Sequence, residues 1–139
     1  MIRYLLDTNI CIYLIKKKPA NLIAHLKQVI EKGVGISSIT LSELEYGVQK
    51  SARLQRNKLN LLRFLAPFDI LPYDEKAAAE YGKIRVNLER KGKIIGNMDL
   101  MIGAHARSLQ TILVTNNERE FSRIKGLHIE NWVKLSEKH

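Results

Sequence analysis

The segment Tyr4-Leu5-Leu6-Asp7-Thr8-Asn9 decides the fold class. Three apolar residues run into an aspartate with no polar alternation, which is how a strand buried on both faces reads. The carboxylate then stands just past the strand's end. Working outward, short apolar strands alternate with helical patterns. A short helix is predicted up to Ile15 with Asn9 as its cap, and a second over 20–32 that stops at Gly33. A second strand is expected over 34–37, then helices over 41–50 and 54–64. Pro67 breaks the latter ahead of a third strand over 68–71. The longest helical pattern covers 75–91 and ends at Gly92. Asn97 is placed to cap a helix through Leu109, followed by a strand over 111–115, a helical turn over 118–121 and a weak strand over 129–132. Strands separated by helices pair in parallel, because each crossover needs the helix. The expectation is an open three-layer α/β/α domain spanning 1–139. In such sheets chemistry gathers outside the carboxyl ends of the strands.

Composition narrows the function classes. The chain has 139 residues, 45% hydrophobic and 27% charged, as an ordinary globular domain has. Apolar runs are short and broken by charge, so no membrane span is expected, and Arg3 and Asp7 argue against a signal peptide. The single cysteine, Cys11, excludes an internal disulfide and a cysteine-cluster zinc site, and a cytoplasmic location is the default. Lys and Arg number 23 against 14 Asp and Glu, a net charge of +9. That surplus favours a polyanionic partner such as nucleic acid.

Against this basic background the carboxylates at predicted strand ends stand out. Asp7 follows the first strand; its structural alternative is a helix cap. Glu43 follows the second, and Thr40-Leu41-Ser42-Glu43 also fits a capping box, the reading local sequence favours. Glu45, two residues on, points to another face of the helix. Asp99 lies in the first turn of a helix after Gly96-Asn97-Met98, where the helix dipole favours its charged form. Thr115-Asn116-Asn117 ends the fourth strand and Glu120 follows. Carboxylates converging at one edge repel unless a cation neutralises them, and hard oxygen donors without a His or Cys cluster suit Mg²⁺ or Mn²⁺. Acidic metal chemistry within a basic binding surface reconciles the two signs of charge.

Four blocks together resemble the signature blocks of PIN-domain ribonucleases, and more closely the VapC family, the toxins of bacterial VapBC toxin–antitoxin pairs. They are Leu5-Leu6-Asp7-Thr8-Asn9; Ser37-Ser38-Ile39-Thr40-Leu41-Ser42-Glu43-Leu44-Glu45-Tyr46-Gly47; Ile95-Gly96-Asn97-Met98-Asp99-Leu100-Met101-Ile102-Gly103-Ala104-His105-Ala106; and Leu113-Val114-Thr115-Asn116-Asn117-Glu118-Arg119-Glu120-Phe121. The resemblance implies a PIN-like five-stranded parallel sheet and a Mg²⁺- or Mn²⁺-dependent endoribonuclease of structured RNA, with transfer RNA, and initiator transfer RNA within it, as the expected target. It implies neutralisation by a VapB-type antitoxin, a homodimer forming a heterotetramer or larger assembly with it, and operator DNA reached only through the antitoxin. It carries over Asp7, Glu43 and Asp99 as the catalytic, metal-binding triad, which overrides the capping reading of Glu43. Where many PIN domains have a fourth acid this chain has Asn117, and Glu120 is the candidate to supply the charge. Thr8, Asn9 and Thr115 are candidates to orient the acids or their waters, or simply to hydrogen-bond the backbone. Lys91 and Lys93 are candidate RNA contacts, or solvated loop lysines. His105 and Cys11 read as packed core residues.

Rival classes fit less well. A haloacid-dehalogenase-type phosphotransferase needs a second aspartate two residues after the first, and that position is Asn9. A phosphate-receiver domain carries its aspartate on a later, central strand. A non-catalytic nucleic-acid-binding module accounts for the charge but not the acids. A flap-cutting PIN nuclease needs insertions this chain lacks.

Overall fold

The computed structural model describes residues 1–133; residues 134–139 of the predicted domain lie outside the described residues. The elements run β1 (Tyr4–Leu6), α1 (Thr8–Ile15), α2 (Ala20–Val29), a 3-10 turn (Ile30–Lys32), β2 (Val34–Ser37), α3 (Ser38–Gln49), α4 (Leu54–Leu65), β3 (Asp69–Leu71), α5 (Glu75–Arg90), α6 (Asn97–Leu109), β4 (Ile112–Val114), α7 (Glu118–Phe121) and β5 (His128–Glu130). The alternation is the one expected. All strand pairs are parallel, in the order β3-β2-β1-β4-β5.

Side-chain alternation along β1 splits the interior in two. Tyr4 and Leu6 pack with α1–α4 and Trp132, while Leu5 packs with Ile84 and Leu88 of α5, Leu100 and Ile102 of α6, and Phe121. A strand with helices on both faces must be apolar at every position, and Tyr4, Leu5 and Leu6 are all buried. Cys11 is fully buried among apolar neighbours, and Trp132 lies edge-on to Tyr4 at 5.4 Å between ring centroids, so both are core residues.

The strand order locates the crevice. From β1 the chain steps outward to β2 and β3, then returns to the other side of β1 for β4 and β5. The direction reverses between β1 and β4, and crevices at such a reversal are where open α/β sheets bind ligands. Leu6 pairs with Val114 in register, so Asp7 and Thr115 emerge side by side. Gly103 seats the next wall: a Cβ there would lie 2.6 Å from the Ile124 side chain. Its absence lets α6 lie close against the segment that follows α7.

Three local expectations are corrected. Asp7 caps α1, its Oδ1 accepting from the Ile10 backbone N–H at 2.9 Å, while Asn9 is an exposed residue inside the helix. Helix α3 begins at Ser38, capped by Ser37 through the Ile39 N–H at 3.1 Å, so Thr40 lies within the helix and forms no capping box with Glu43. Gly96, not Asn97, occupies the cap position of α6, without a side-chain cap bond.

Candidate active site

The acids reach the crevice from four elements. Asp7 comes off β1, Glu43 off the second turn of α3, Asp99 off the first turn of α6 and Glu120 off α7. Asp7 is only 3% exposed. Burial pushes its carboxyl up to about 6; hydrogen bonds from the Thr115 hydroxyl and the Ile10 N–H pull the other way, and the charges of Asp99 and Glu43 push it up further. Asp99 is also raised, chiefly by burial, then by the charges of Glu120 and Glu43, against a lowering hydrogen bond from Asn117. These four carboxylates therefore share one field.

The amide and hydroxyl groups around them hold the acids in place. Thr8 Oγ1 donates to Glu43 Oε1 at 2.5 Å and lies 3.4 Å from Thr40 Oγ1. Thr115 Oγ1 accepts from the Asn117 N–H at 2.8 Å. Asn117 Nδ2 donates to Glu120 Oε2 at 3.3 Å and its side chain also serves Asp99, so one amide links two acids. Of the predicted supporting residues, Thr8, Thr115, Asn117 and Glu120 are thus drawn in. Asn9 makes no side-chain hydrogen bond among the described residues. Glu45 faces away and pairs with Lys58 at 2.7 Å. His105 is a core residue: Nδ1 lies 2.8 Å from Ser37 Oγ, Tyr73 packs edge-on at 5.7 Å, and burial lowers its pKa.

Among the described residues no Lys, Arg or His side chain pairs with this charge. The ion pairs among the described residues are Lys58–Glu45, Arg85–Glu89 and Arg107–Glu80, and none includes Asp7, Glu43, Asp99 or Glu120. Nor is any group of three or more His, Cys, Asp or Glu side chains among the described residues pre-set around a point that would hold an ion. The geometry gives the reason: Glu43 is turned onto Thr8, and Glu120 onto Asn117. The donor set still fits a hard divalent cation. It is all oxygen, each carboxylate oxygen has lone pairs to spare, and Mg²⁺ keeps several waters that can span to acids not in direct reach.

The pattern of the PIN domain family matches residues 4–127. Ribonuclease VapC2 of Haemophilus influenzae is 47% identical over 133 residues, covering 96% of this chain and all of the relative. The chain belongs to the VapC ribonucleases of the PIN-domain family. The tRNA(fMet)-specific endonuclease VapC of Shigella flexneri is 46% identical over 132 residues, 95% of this chain and 99% of the relative. The crystal structure of DNA-bound VapBC from Salmonella typhimurium superimposes with a TM-score of 0.91 at 44% identity, covering 95% of this chain and 99% of that one. Family membership confirms the sheet architecture expected from the four blocks.

Two hollows bear on the reading of the site. One, of about 380 Å³, opens beside Glu43 between α1, α3 and α4 and is lined by Ile12, Ile15, Leu44, Val48 and Leu61 among others. The other lies between the α5–α6 turn and α7. It includes Lys91 and Lys93, and also Arg119 and Arg123, which the sequence reading did not single out. Arg119 lies on α7 and Arg123 just past its end, so no helical periodicity in the sequence marks the pair.

Proposed function

We propose that this chain is the toxin of a type II toxin–antitoxin pair and cleaves structured RNA by divalent-metal-assisted hydrolysis, with Asp7, Glu43 and Asp99 as its acidic centre. The observation that carries the reading is the set of unbalanced carboxylates at the β1/β4 crevice in a chain of net charge +9. Burying unpaired carboxylates costs stability, and a fold keeps such a cost where function needs the charge.

When bound, Mg²⁺ or Mn²⁺ supplies Lewis acidity toward a phosphodiester and toward water. The chain's residues then have separate tasks. Asp7 and Asp99 would hold the ion, Asp7 being fixed by the α1 N-terminus and Thr115. Glu43 orients the attacking water, its carboxylate steered by Thr8. Asn117 keeps Glu120 beside Asp99, so the fourth negative charge comes from α7. The relatives named for tRNA(fMet) favour initiator transfer RNA as the substrate. A transfer RNA substrate implies action in the cytoplasm; no helix among the described residues is long and apolar enough to cross a membrane.

The partner is a VapB-type antitoxin, as in the VapBC structures the chain resembles. The apolar hollow beside Glu43 offers a seat for an antitoxin segment. An arginine from that segment, entering among Asp7, Glu43 and Asp99, would replace the ion's charge with a planar fork of donors. The toxin pairs as a homodimer and reaches operator DNA only through the antitoxin.

The test is cleavage of purified transfer RNA and ribosomal RNA with Mg²⁺ or Mn²⁺ against chelator, with sequencing of the new ends. Metal-dependent cuts that disappear on adding the upstream-encoded partner are expected. Cleavage indifferent to chelator, or a complex that cuts at the free rate, overturns the reading.

A further inference from the structure

We propose that Lys91, Lys93, Arg119 and Arg123 form a phosphate-binding cleft that grips the RNA backbone to one side of the scissile bond. The inference rests on the ribonuclease reading above and names where its substrate is held. The cleft has a volume of about 420 Å³ and is lined by these four cations and Ser122.

Two separate pieces of chain build it. At the end of α5 the Lys93 N–H bonds the Leu88 carbonyl and the Gly92 N–H bonds that of Glu89, with Gly92 at φ +64°. This is a glycine-closed helix end that only a residue without a Cβ adopts cheaply. It projects Lys91 and Lys93 on either side of the turn. Lysines at a helix C-terminus complement its dipole, which alone would account for them. It would not account for the facing wall: Arg119 and Arg123 come from α7 and the residues just after it. Arg123 Nη1 donates to the Ile94 carbonyl at 3.0 Å and ties that wall to the turn. None of the four cations is in an ion pair among the described residues.

Position links the cleft to the acids. The strand of chain from Lys93 runs through Ile94 and Gly96 to Asp99, and Arg119 is the immediate neighbour of Glu120. Both walls of the cleft therefore continue into walls of the acidic site. A polyanion seated on the cations is thereby brought near the carboxylates along the chain.

The lining favours a nucleic-acid backbone over a protein. Protein interfaces need a buried apolar or aromatic anchor, and every residue lining this cleft is polar or charged. Phosphate contacts need only cations and donors, and they position a nucleic acid without reading its sequence. The apolar hollow beside Glu43 has the opposite character and suits the opposite occupant.

Purified transfer RNA binding to the full chain is measured in chelator by fluorescence anisotropy, so that binding is read without cleavage. Lys93→Gln/Arg119→Gln should weaken affinity at least 10-fold near 0.1 M salt. The slope of log affinity against log salt should flatten by roughly 1.4 to 1.8, as expected for two phosphate contacts. Arg119→Lys, which keeps the charge, should retain the wild-type slope. With Mg²⁺ restored, the double variant should show a raised KM and an unchanged kcat. Unfolding curves matching wild type exclude a structural cause. Affinity and slope equal to wild type overturn the cleft, and so does a loss confined to antitoxin binding. Wild type that binds RNA through these residues yet cuts none with Mg²⁺ or Mn²⁺ sinks the nuclease reading and leaves the cleft standing.

Discussion

Asp7 is 3% exposed and has no cationic partner among the described residues, whereas Lys91 and Lys93 stand in solvent on a glycine turn. Asp7 lies at the β1/β4 crevice, and Lys91 and Lys93 line the cleft between the α5–α6 turn and α7. The acids are drawn inward by four elements that converge, and their charge works against folding. The cations are hung outside on a helix end and a short helix, and water carries the cost of their charge. Substitution should therefore separate the regions. Neutralising an acid should remove activity and leave the fold firmer; neutralising a cation should weaken substrate binding by steps and leave stability alone.

The largest effect expected is on catalysis. Asp7→Asn or Asp99→Asn should lower the rate of RNA cleavage at saturating metal by roughly 10²- to 10³-fold, the scale on which a single electrostatic group of an active site counts. Asn is as good a helix cap as Asp, so Asp7→Asn leaves the α1 cap in place. Single-turnover cleavage assays check it; a variant within a few-fold of wild type would remove that acid from the centre.

The same substitution sharpens the comparison through stability. Asp7 keeps its proton up to about pH 6 in the folded chain, against 3.8 for the ordinary group. Between those values the folded state holds more protons than the unfolded one, so stability falls as pH rises through this window. The shift corresponds to about 3 kcal/mol for this group. Asp99 acts in the same direction. Metal-free wild type should thus lose stability from pH 4 to 7 relative to Asp7→Asn, and Mg²⁺ or Mn²⁺ should restore part of it in wild type only. Thermal melts in chelator and in metal, across that range, read both outcomes.

Glu43 sits between the extremes. Gln can still accept the Thr8 hydroxyl, so Glu43→Gln should keep the fold and lose only the charge. A rate loss of roughly 10- to 100-fold is expected, the range for groups that orient a metal site. Normal turnover in this variant would reduce Glu43 to a packing partner of Thr8.

The sequence made the fold legible because both faces of the sheet are covered. Tyr4-Leu5-Leu6 cannot be anything but buried, and helices between strands force parallel pairing. Strand order was not legible, since nothing local says to which side of β1 the chain returns for β4. The acids were legible as residues at strand ends and in a first helical turn, and Thr8, Thr115, Asn117 and Glu120 as their supports, yet which support meets which acid was not. Thr8 meets Glu43 across 35 positions of chain, and His105 meets Ser37 across 68. Local reading also chose the wrong cap for α3: Ser37 and Thr40 are both good caps, and only the end of β2 at Ser37 decides between them. The Arg119 wall was not legible because an arginine on a four-residue helix carries no periodicity, and its place shows only once the fold brings Lys91 and Lys93 to the same cleft.

The smallest effect expected is at Glu45, the acid two residues beyond Glu43. It shares α3 with the site but turns its carboxylate to Lys58, both side chains being 38% exposed. An ion pair that wet contributes about 0 to 1 kcal/mol, since solvent screens the attraction and two long side chains lose freedom to make it. Glu45→Gln should therefore lower stability by less than about 1 kcal/mol, a difference that salt erases. RNA cleavage should remain at the wild-type rate, and stability should lack the rise expected of Asp7→Asn in chelator. Chemical denaturation at two salt concentrations, with cleavage measured in parallel, makes the check. Loss of cleavage in Glu45→Gln comparable to that in Glu43→Gln would mean that exposure does not separate the working acids from the solvated ones, and the contrast between buried and wet charge would no longer mark the site.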